Sequence, residues 1–594
     1  MPKAWSNDHA ELGLGDKRAF RPTIMGTSGM VTTGHYLSTL AGVQVLQQGG
    51  NAIDAGVAAA VAGCVVQSEM VSFGGMASIQ IYRADLDQSF TIAGVGHWPE
   101  RASLDYFRDE CNGHVPKDAR NAVVPAAPDA YLTALERFGT WSVSKTVQRA
   151  IELAVDGFPM YPFRHYRERD YAEMIEKFPS TRAAIWPNGR QVAVGEILRQ
   201  TDHGWSLQTM ADAESARSSG ATPEARIRGL QAARDAFYQG EIAERIDRFY
   251  TESGGFLRKS DLKGYRVSVD PPVVGTWRGY EVRTVPFWSK GPLLIYLLNL
   301  LEDDDLAALG HNSPEYIHLL TEALKLAYAD RHAHFGDPLM TDVPEEGLLS
   351  KSYAKARRTL IDANRAWSEM PPAGDPWTGA AVGRTAPALS GAVTAVRGAE
   401  IDTSHLSVVD RWGNVFGATF SDSFIYGPIT PGTGLTISTR GIQSWADPGH
   451  PNRVEPGRRP VVTGNPAMVF KDGRPVLALG SPGSDVQLQA SIQVLLNILV
   501  FGMEPQEAIE APRFATYSHP ESFEPHTYQP AVLKIEARVP EQTMAQLDAL
   551  GHRVEPWQAW QWQAGGVGAV SLNPETGVLA GGAETRRESY ALGW

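Results

Sequence analysis

Apolar and β-branched residues dominate two short runs of the chain, residues 405–410 and 415–420. They flank a turn at 411–414, in which Gly413 and Asn414 favour a tight reversal. This pattern predicts a β-hairpin. Longer, largely apolar stretches at 41–66, 316–334 and 486–500 are typical of buried helices. The sequence therefore predicts one clear hairpin and several long helices.

A segment without either periodicity precedes the hairpin. Residues 370–398 are rich in Pro, Gly, Ala and Thr, which is typical of a linker. Two interpretations remain open: a mobile tail that leads to a processing site, or a plain interdomain linker. The first interpretation predicts a large piece, residues 1–402, and a small piece, residues 403–594.

Length and composition favour a globular protein with a large core. The chain has 594 residues, of which 43% are hydrophobic and 20% charged. A net charge of −13 argues against nonspecific nucleic-acid binding, and no hydrophobic run is long enough to span a bilayer. The first ten residues carry no apolar signal segment. We therefore expect a cytoplasmic protein without nucleic-acid or membrane partners.

Thr403 stands immediately before the predicted hairpin and follows Asp402. A threonine hydroxyl is a poor nucleophile on its own. A cut between these two residues gives Thr403 a free α-amine, whose unperturbed pKa of about 7.7–8.0 lets it accept a proton near neutral pH. That is the chemistry of N-terminal nucleophile hydrolases. An ordinary loop threonine is the alternative interpretation.

Several separated blocks of the sequence resemble the γ-glutamyltranspeptidase family. They keep the family's order and cover nearly the whole chain, which makes the resemblance specific. The blocks are residues 29–35, 41–60, 73–75, 150–158, 237–243, 322–331, 336–338, 403–410, 465–466, 480–483 and 511–514. The resemblance implies an α+β fold, the αββα four-layer sandwich. It also implies that a large subunit (1–402) and a small catalytic subunit (403–594), both from one precursor, build this sandwich together.

The resemblance further implies which groups carry out catalysis. Thr403 matches the nucleophile, and Ser421 stands in the place of the family's second threonine and keeps its hydroxyl. Gly483 and Ser484 lie in a turn before a predicted helix, where backbone N–H groups can face an oxyanion. The family usually has two glycines at this pair of positions.

A processing site is predicted at the bond between Asp402 and Thr403. The same hydroxyl attacks the preceding carbonyl before the amine exists. His405 follows the family's pattern of two hydroxyl residues and a histidine. It either orients this site or is simply a packed histidine.

The predicted substrate pocket departs from the γ-glutamyl members of the family. The arginine that grips the α-carboxylate there aligns with Pro99, and Arg101 is the candidate to replace it. A site without the carboxylate clamp and the acidic amine clamp leaves the charges of a glutamyl head with their full desolvation cost. We therefore expect an acyl group other than γ-glutamyl. The aligned pocket positions are Ser423, Arg440, Gln443, Thr463 and Asn465.

Residues 439–441 and 447–452 resemble the acylase and oxamate-amidohydrolase branch of the family. Arg440 is the candidate contact for a substrate anion, with a salt bridge to a loop carboxylate as the alternative. Tyr426 and Trp562 are candidates to line an apolar or aromatic acyl pocket. Closely spaced indoles such as those near Trp562 are also typical of core packing.

These features together predict an autoprocessed N-terminal-threonine amidohydrolase. It cleaves a small-molecule amide through an acyl-enzyme on Thr403, and we expect neither a metal nor an organic cofactor. Two alternatives remain: a γ-glutamyl hydrolase or transpeptidase acting on glutathione-like compounds, and a processed, non-catalytic binding or assembly scaffold. The sequence leaves open whether the processed protein forms a higher oligomer.

Overall fold

A seven-stranded sheet contains the predicted hairpin. The computed structural model describes residues 19–218, 222–384 and 403–594. Neighbouring strands of this first sheet are antiparallel throughout. Their spatial order is Tyr590–Gly593, Gly29–Thr33, Ser404–Asp410, Val415–Ser421, Met76–Arg83, Gln88–Gly94 and Val269–Asp270. The hairpin is thus confirmed, and it lies near the middle of the sheet.

A second seven-stranded sheet packs against the first one. It too is antiparallel. Its spatial order is Ile24–Gly26, Leu579–Ala583, Gly568–Leu572, Arg474–Gly480, Ala467–Lys471, Tyr280–Thr284 and Val273–Trp277. Met30 and Val409 of the first sheet share one buried cluster with Met468 and Val570 of the second. This apolar layer joins the two sheets face to face.

Helices cover the outer face of each sheet. The helix Ala52–Val66 shares a core with Val408 and Phe416 of the first sheet. The helix Val486–Leu499 shares another core with Leu479 of the second. The layers therefore run helix, sheet, sheet, helix, as the resemblance predicts.

The α-helices include short one-turn elements as well as long buried ones, and no helix of the described chain is both long and apolar enough to cross a membrane. Their bounds are Tyr36–Gln47, Ala52–Val66, Leu104–Glu110, Ala127–Phe138, Val143–Val155, Pro162–Asp170, Ala172–Lys177, Pro179–Ile185, Thr201–Arg217, Pro223–Tyr238, Glu241–Glu252, Lys259–Leu262, Pro292–Leu300, Leu306–Leu309, Pro314–His334, Glu345–Leu349, Lys351–Arg358, Val486–Leu499, Pro505–Glu510 and Glu541–Ala549. The short strands outside the two large sheets are Phe158–Pro159, Ile197–Leu198, Ala373–Asp375, Ala380–Arg384, Ile429–Thr430, Leu435–Thr436, Phe514–Thr516, Val532–Glu536 and Arg553–Trp557.

The long helix predicted at 41–66 is divided into two. Gly49 has a φ of +84°, a left-handed conformation that ends the first helix. Asn51 then caps the second helix by accepting hydrogen bonds from the N–H groups of Ile53 and Asp54. The helices predicted at 316–334 and 486–500 are confirmed, as Pro314–His334 and Val486–Leu499.

The prediction that residues 370–398 form a linker without regular structure is wrong for residues 373–384. Strands Ala373–Asp375 and Ala380–Arg384 form a two-stranded sheet there. Asp330 accepts a hydrogen bond from the Gly374 N–H at 2.9 Å, and Arg357 donates to the Ala381 carbonyl at 2.6 Å. These long-range bonds order a segment whose small residues carry no periodic signal. Residues 385–398 lie outside the described part of the chain.

Candidate active site

Thr403 directly precedes Ser404–Asp410, the first strand of the central hairpin. Its N–H donates to the Met70 carbonyl at 2.8 Å, and only 2% of the residue is exposed. Its φ is +98°, a conformation that is rare for a β-branched residue and stores strain. Its hydroxyl oxygen lies 2.7 Å from that of Ser421, at the end of the partner strand. The structure thus brings the two predicted hydroxyls into direct contact; Asp402 lies outside the described residues.

His405 is a buried, hydrogen-bonded side chain two residues beyond Thr403. Its ring nitrogens contact the hydroxyls of Thr419, at 2.9 Å, and Ser407, at 3.0 Å. Burial lowers the pKa of His405 to about 3, so the ring is neutral near pH 7. A Cβ on Gly480 would lie 2.3 Å from this ring. His405 therefore packs between the two sheets, which matches the packed-histidine interpretation and leaves an orienting role as a prediction.

The loop after Gly480 carries Gly483 and Ser484, whose backbone amides are predicted to face an oxyanion. Gly483 has a φ of +128°, which favours glycine, and Ser484 has a φ of +52°. Within the described chain, neither amide N–H of this pair donates a hydrogen bond. The helix Val486–Leu499 begins directly afterwards, so its N-terminal end adds to the positive potential of the loop.

Gly480 brings this loop next to the strand Ser404–Asp410. It ends the strand Arg474–Gly480 of the second sheet and packs against His405 of the first. The loop that carries Gly483 and the beginning of the strand Ser404–Asp410, directly after Thr403, therefore lie at the same edge of the sandwich.

Asp422 is a site residue that the sequence analysis missed. It follows Ser421, is fully buried and has a φ of +84°. Its carboxylate accepts hydrogen bonds from the Ser438 hydroxyl, from both the N–H and the hydroxyl of Thr439, and from Arg440, all within 2.8 Å. Ionisable Asp is rarely fully buried without such partners. The signal in the sequence that could have indicated this role is a single acidic residue directly after a largely apolar strand.

Arg440 forms the salt bridge that the sequence analysis kept as its alternative. Its Nε lies 2.7 Å from the carboxylate of Asp422, and its guanidinium also lies 4.9 Å from the ring of Phe523. Tyr426 stacks on the same ring with centroids 5.5 Å apart. Ser423 is fully buried, and its hydroxyl accepts from the Ile425 N–H. The structure thus gathers Arg440, Tyr426 and Ser423 around Asp422.

Thr463 and Asn465 flank Gly464, which lies against the hairpin. A Cβ on Gly464 would lie 3.3 Å from the Thr419 carbonyl and 3.0 Å from the Ser78 hydroxyl. Thr463 is hydrogen-bonded to Gln487, whereas the buried side-chain oxygen of Asn465 has no hydrogen-bond partner within the described residues. This segment therefore reaches the same side of the sandwich as Ser421.

Arg101 and Trp562 are two more of the predicted pocket residues. Arg101 is exposed on the surface, unlike the buried residues around Thr403. Trp562 packs against Phe163, with ring centroids 5.5 Å apart, and beneath the guanidinium of Arg167 at 4.6 Å. These contacts match the packed-indole interpretation of Trp562. The roles of Arg101 and Trp562 in substrate binding stay predictions.

One group of described residues has the composition of a metal site. His318, Glu322 and His552 are buried and present ligand atoms within 4.8 Å of one another. However, the two histidines are hydrogen-bonded at 2.9 Å, and Glu322 forms a 2.7 Å ion pair with Lys325. These internal contacts account for the cluster without an ion.

The arrangement of Thr403 and Ser421 agrees with the similarity of this chain to known proteins. The family model described as Gamma-glutamyltranspeptidase matches residues 38–594. The chain belongs to this family. It is 33% identical to the "Acylase ACY 1 proenzyme" of Pseudomonas sp. (strain V22), over 94% of this chain and 92% of that protein. It is 30% identical to the "Glutathione hydrolase proenzyme" of Bacillus subtilis (strain 168), over 97% and 93%.

The fold has a matching solved structure. The cephalosporin acylase from Bacillus halodurans superposes with a TM-score of 0.84 at 25% identity, and the match covers 98% of each chain. The predicted family, its acylase-like branch and the αββα sandwich are therefore confirmed. The predicted class of enzyme, an amide hydrolase of the N-terminal nucleophile type, is confirmed at the level of the family.

Proposed function

We propose that this protein is a self-processed amidohydrolase whose nucleophile is the hydroxyl of Thr403. The observation that carries the proposal is the 2.7 Å contact between the Thr403 and Ser421 hydroxyls in a buried site. A nucleophile of this kind needs a partner within hydrogen-bonding reach and donors for the oxyanion. The unengaged amides of Gly483 and Ser484 support the second requirement. The proenzyme names of two relatives support the processing step.

Processing begins with attack of the Thr403 oxygen on the carbonyl carbon of Asp402. The C–N bond breaks, the nitrogen takes the hydroxyl proton, and an ester joins the two residues. Water then hydrolyses the ester, which leaves a carboxylate on Asp402 and a free α-amine on Thr403. The pieces are residues 1–402 and 403–594.

Turnover repeats this chemistry on an external amide. The free amine of Thr403 accepts the hydroxyl proton while the oxygen attacks the substrate carbonyl, and it then returns the proton to the leaving nitrogen. The Gly483 and Ser484 amides stabilise the oxyanion; one such donor is typically worth about 10²–10³ in rate. Water cleaves the acyl-enzyme and restores Thr403. No step draws on a metal or an organic cofactor.

The acyl group is not γ-glutamyl in this proposal. Arg440 aligns with a position where γ-glutamyl members hold the substrate amine, and a guanidinium offers no acceptor to an ammonium group. The carboxylate of Asp422 already accepts four hydrogen bonds, one of them from Arg440, which supports this assignment. The second candidate, hydrolysis or transfer of γ-glutamyl groups, is favoured by the 30% identity to a glutathione hydrolase proenzyme.

Intact mass and amino-terminal sequencing test the nucleophile. Scaling 64.6 kDa by length, wild type is expected to give pieces of about 44 and 21 kDa, with Thr403 leading the smaller one. Thr403→Ala is expected to stay whole, and Thr403→Ser, which keeps a hydroxyl, is the matched control. A folded wild type that stays uncut contradicts the proposal.

A panel of amides tests the substrate assignment on the processed protein. Turnover of amides other than glutathione, oxamate included, supports the proposal. Glutathione turnover alone supports the second candidate. A fully processed protein that cleaves none of them supports a non-catalytic scaffold.

A further inference from the structure

A short turn at residues 67–70 lies against Thr403 and Ser404. The Met70 carbonyl accepts a hydrogen bond from the Thr403 N–H at 2.8 Å. The side-chain oxygen of Gln67 accepts one from the Ser404 hydroxyl at 3.0 Å. The Met70 N–H closes the turn by donating to the Gln67 carbonyl at 2.8 Å. One turn from the part of the chain before residue 402 therefore contacts the first two residues of the predicted small piece.

The Thr403 nitrogen has two successive roles in the proposed mechanism. It takes the hydroxyl proton when its bond to Asp402 breaks, and it is then the base during turnover. Cleavage leaves this nitrogen in place and gives it further N–H donors, so its bond to the Met70 carbonyl can persist. A hydrogen bond from a charged donor is about twice as strong as one between neutral groups. The Met70 carbonyl therefore holds this nitrogen most firmly whenever it carries the transferred proton.

Arg164 binds the residues that form this turn and lead into it. It lies on the separate helix Pro162–Asp170 and is fully buried. Its guanidinium donates to the Val66 carbonyl at 3.3 Å and to the Ser68 hydroxyl at 2.9 Å. It also lies 3.7 Å from the carboxylate of Glu69. Because a guanidinium is a planar fork with fixed donor directions, these contacts fix the path of the backbone through the turn.

Tyr161 holds the same residues from a second direction. Its hydroxyl bonds to a carboxylate oxygen of Glu69 at 2.6 Å and to the Val66 carbonyl at 3.1 Å. The other carboxylate oxygen of Glu69 is buried and has no hydrogen-bond partner within the described residues. Burial raises the pKa of Glu69, and the charge of Arg164 opposes that shift. A buried carboxylate that loses a partner is costly, so the position of the turn depends on Tyr161 and Arg164.

Other titratable groups surround this cluster. Glu168 accepts a hydrogen bond from Arg164 at 2.9 Å, and Glu588 adds a negative field at Tyr161. His35 stacks on Tyr161 with ring centroids 4.6 Å apart. Burial and, to a smaller extent, Arg164 lower the pKa of His35 to about 3, so its ring is neutral near pH 7. A variant that keeps all of these charges therefore tests position rather than charge.

We propose that the turn at residues 67–70 positions the Thr403 nitrogen for proton transfer, and that Tyr161 and Arg164 are the positioning residues that hold this turn. The inference rests on the proposed function, because it takes this nitrogen as the leaving group of processing and the base of turnover. Both residues act through the Met70 carbonyl rather than by contact with substrate. The large piece thus orients a base that belongs to the small one.

Self-cleavage of newly made chains tests the positioning with the chain's own peptide bond as substrate. Pulse-labelled cell-free synthesis and electrophoresis time the conversion of the 64.6 kDa chain into its two pieces. Tyr161→Phe and Arg164→Lys keep every charge of the cluster. Each is expected to slow the cut about 10- to 100-fold, because a misplacement of about 1 Å can cost about 10²-fold in rate. Tyr353→Phe is the matched control: its buried hydroxyl bonds at 2.8 Å to Asp330, which pairs with Arg357, and its cut is expected to keep the wild-type rate.

Turnover by the processed variants tests the second role of the nitrogen. The probes are oxamate and glutathione, together with any other amide that wild type cleaves. For Tyr161→Phe, kcat is expected to fall about 10- to 100-fold with KM unchanged, because the orientation of a base acts on the chemical step. The acid limb of the kcat/KM profile is expected to move to lower pH, since the ammonium form loses its acceptor. The charges of the Asp422–Arg440 pair are the same in every variant, and Tyr353→Phe is expected to keep both values.

The positioning is overturned if folded Tyr161→Phe and Arg164→Lys cut themselves at the wild-type rate, or if Tyr353→Phe slows the cut as much as they do. Urea unfolding establishes that each variant is folded, and Tyr161→Phe decides alone if Arg164→Lys is not. If wild type cuts itself but cleaves no amide, the proposed hydrolase fails and the self-cleavage rates still decide the positioning. Amide turnover with wild-type kcat and pH profile in both variants keeps the hydrolase and rejects the positioning.

Discussion

The carboxylate of Asp422 lies 2.7 Å from Nε of Arg440, and Asp422 directly follows the hydroxyl partner of Thr403. One buried ion pair therefore joins the end of the hairpin to the segment that carries the predicted pocket residues. Because Asp422 also accepts two hydrogen bonds from Thr439, it fixes where that segment starts relative to Thr403.

Asp422→Asn is expected to destabilise the protein. The change leaves the buried guanidinium of Arg440 without its counter-charge, and breaking a buried pair from one side costs about 3–5 kcal/mol. Urea unfolding of the processed protein measures the loss. Asp303→Asn, which removes an exposed pair with Lys355, is the control and is expected to leave the unfolding midpoint unchanged. Equal midpoints for Asp422→Asn and wild type contradict the prediction.

Ser421→Ala is expected to slow acylation about 10- to 100-fold, because a hydrogen bond to a reacting, partly charged oxygen is worth about 1.5–3 kcal/mol. Ser421→Thr retains the hydroxyl and is expected to keep activity within several-fold of wild type. Single-turnover kinetics on a cleaved amide separate this step from binding. A Ser421→Ala protein that acylates at the wild-type rate shows that the 2.7 Å contact plays no part in the chemistry.

Gly483→Ala is expected to reduce kcat about 10²–10³-fold, the effect of displacing one oxyanion donor. A Cβ would meet no atom closer than 3.5 Å, so the strain comes from the backbone φ of +128° rather than from a clash. Ser484→Gly is the matched control, since glycine adopts the φ of +52° with less strain. The control is expected to retain kcat and gain slightly in stability. Equal kcat for Gly483→Ala and wild type removes Gly483 from the oxyanion site.

His405 makes the stability of the protein depend on pH. Its pKa is about 3 in the folded protein and about 6.5 in an unfolded chain. The unfolded state therefore binds the extra proton between these values, and the free energy of unfolding falls as the pH drops from 6.5 towards 3. One such group contributes roughly 1 kcal/mol per pH unit. His405→Gln is expected to show a shallower slope than wild type in urea unfolding between pH 7.5 and 4.5; parallel slopes contradict this.

Local patterns predicted the parts of the site that are close in sequence. Apolar and β-branched runs on either side of Gly413 and Asn414 were enough for the hairpin, and the turn before residue 486 was enough for the loop with Gly483. Contacts between distant segments could not be predicted in this way. One small cavity is lined by Lys290, Arg331, Gln443 and Ser522, which come from four segments that meet only in the packed fold.

The dependence on contacts between distant segments also explains why the predicted linker is partly wrong. Gly374 and Ala381 carry no strand signal of their own. They are bonded to Asp330 and Arg357, respectively, which lie on two separate helices. Similarly, nothing near Asp422 in the sequence indicates that Arg440 is its partner rather than a contact for substrate.

The strand Ser404–Asp410 has Gly29–Thr33 of the predicted large piece on one side and its own hairpin partner on the other. Both edge strands of the second sheet also come from the part of the chain before residue 402. A cut between Asp402 and Thr403 therefore yields two chains that each contribute strands to both sheets. Unfolding such a protein releases two molecules instead of one, so its midpoint is expected to rise with protein concentration, whereas that of the uncut chain is not. A single peptide bond thus decides whether this fold behaves thermodynamically as a monomer or as a heterodimer.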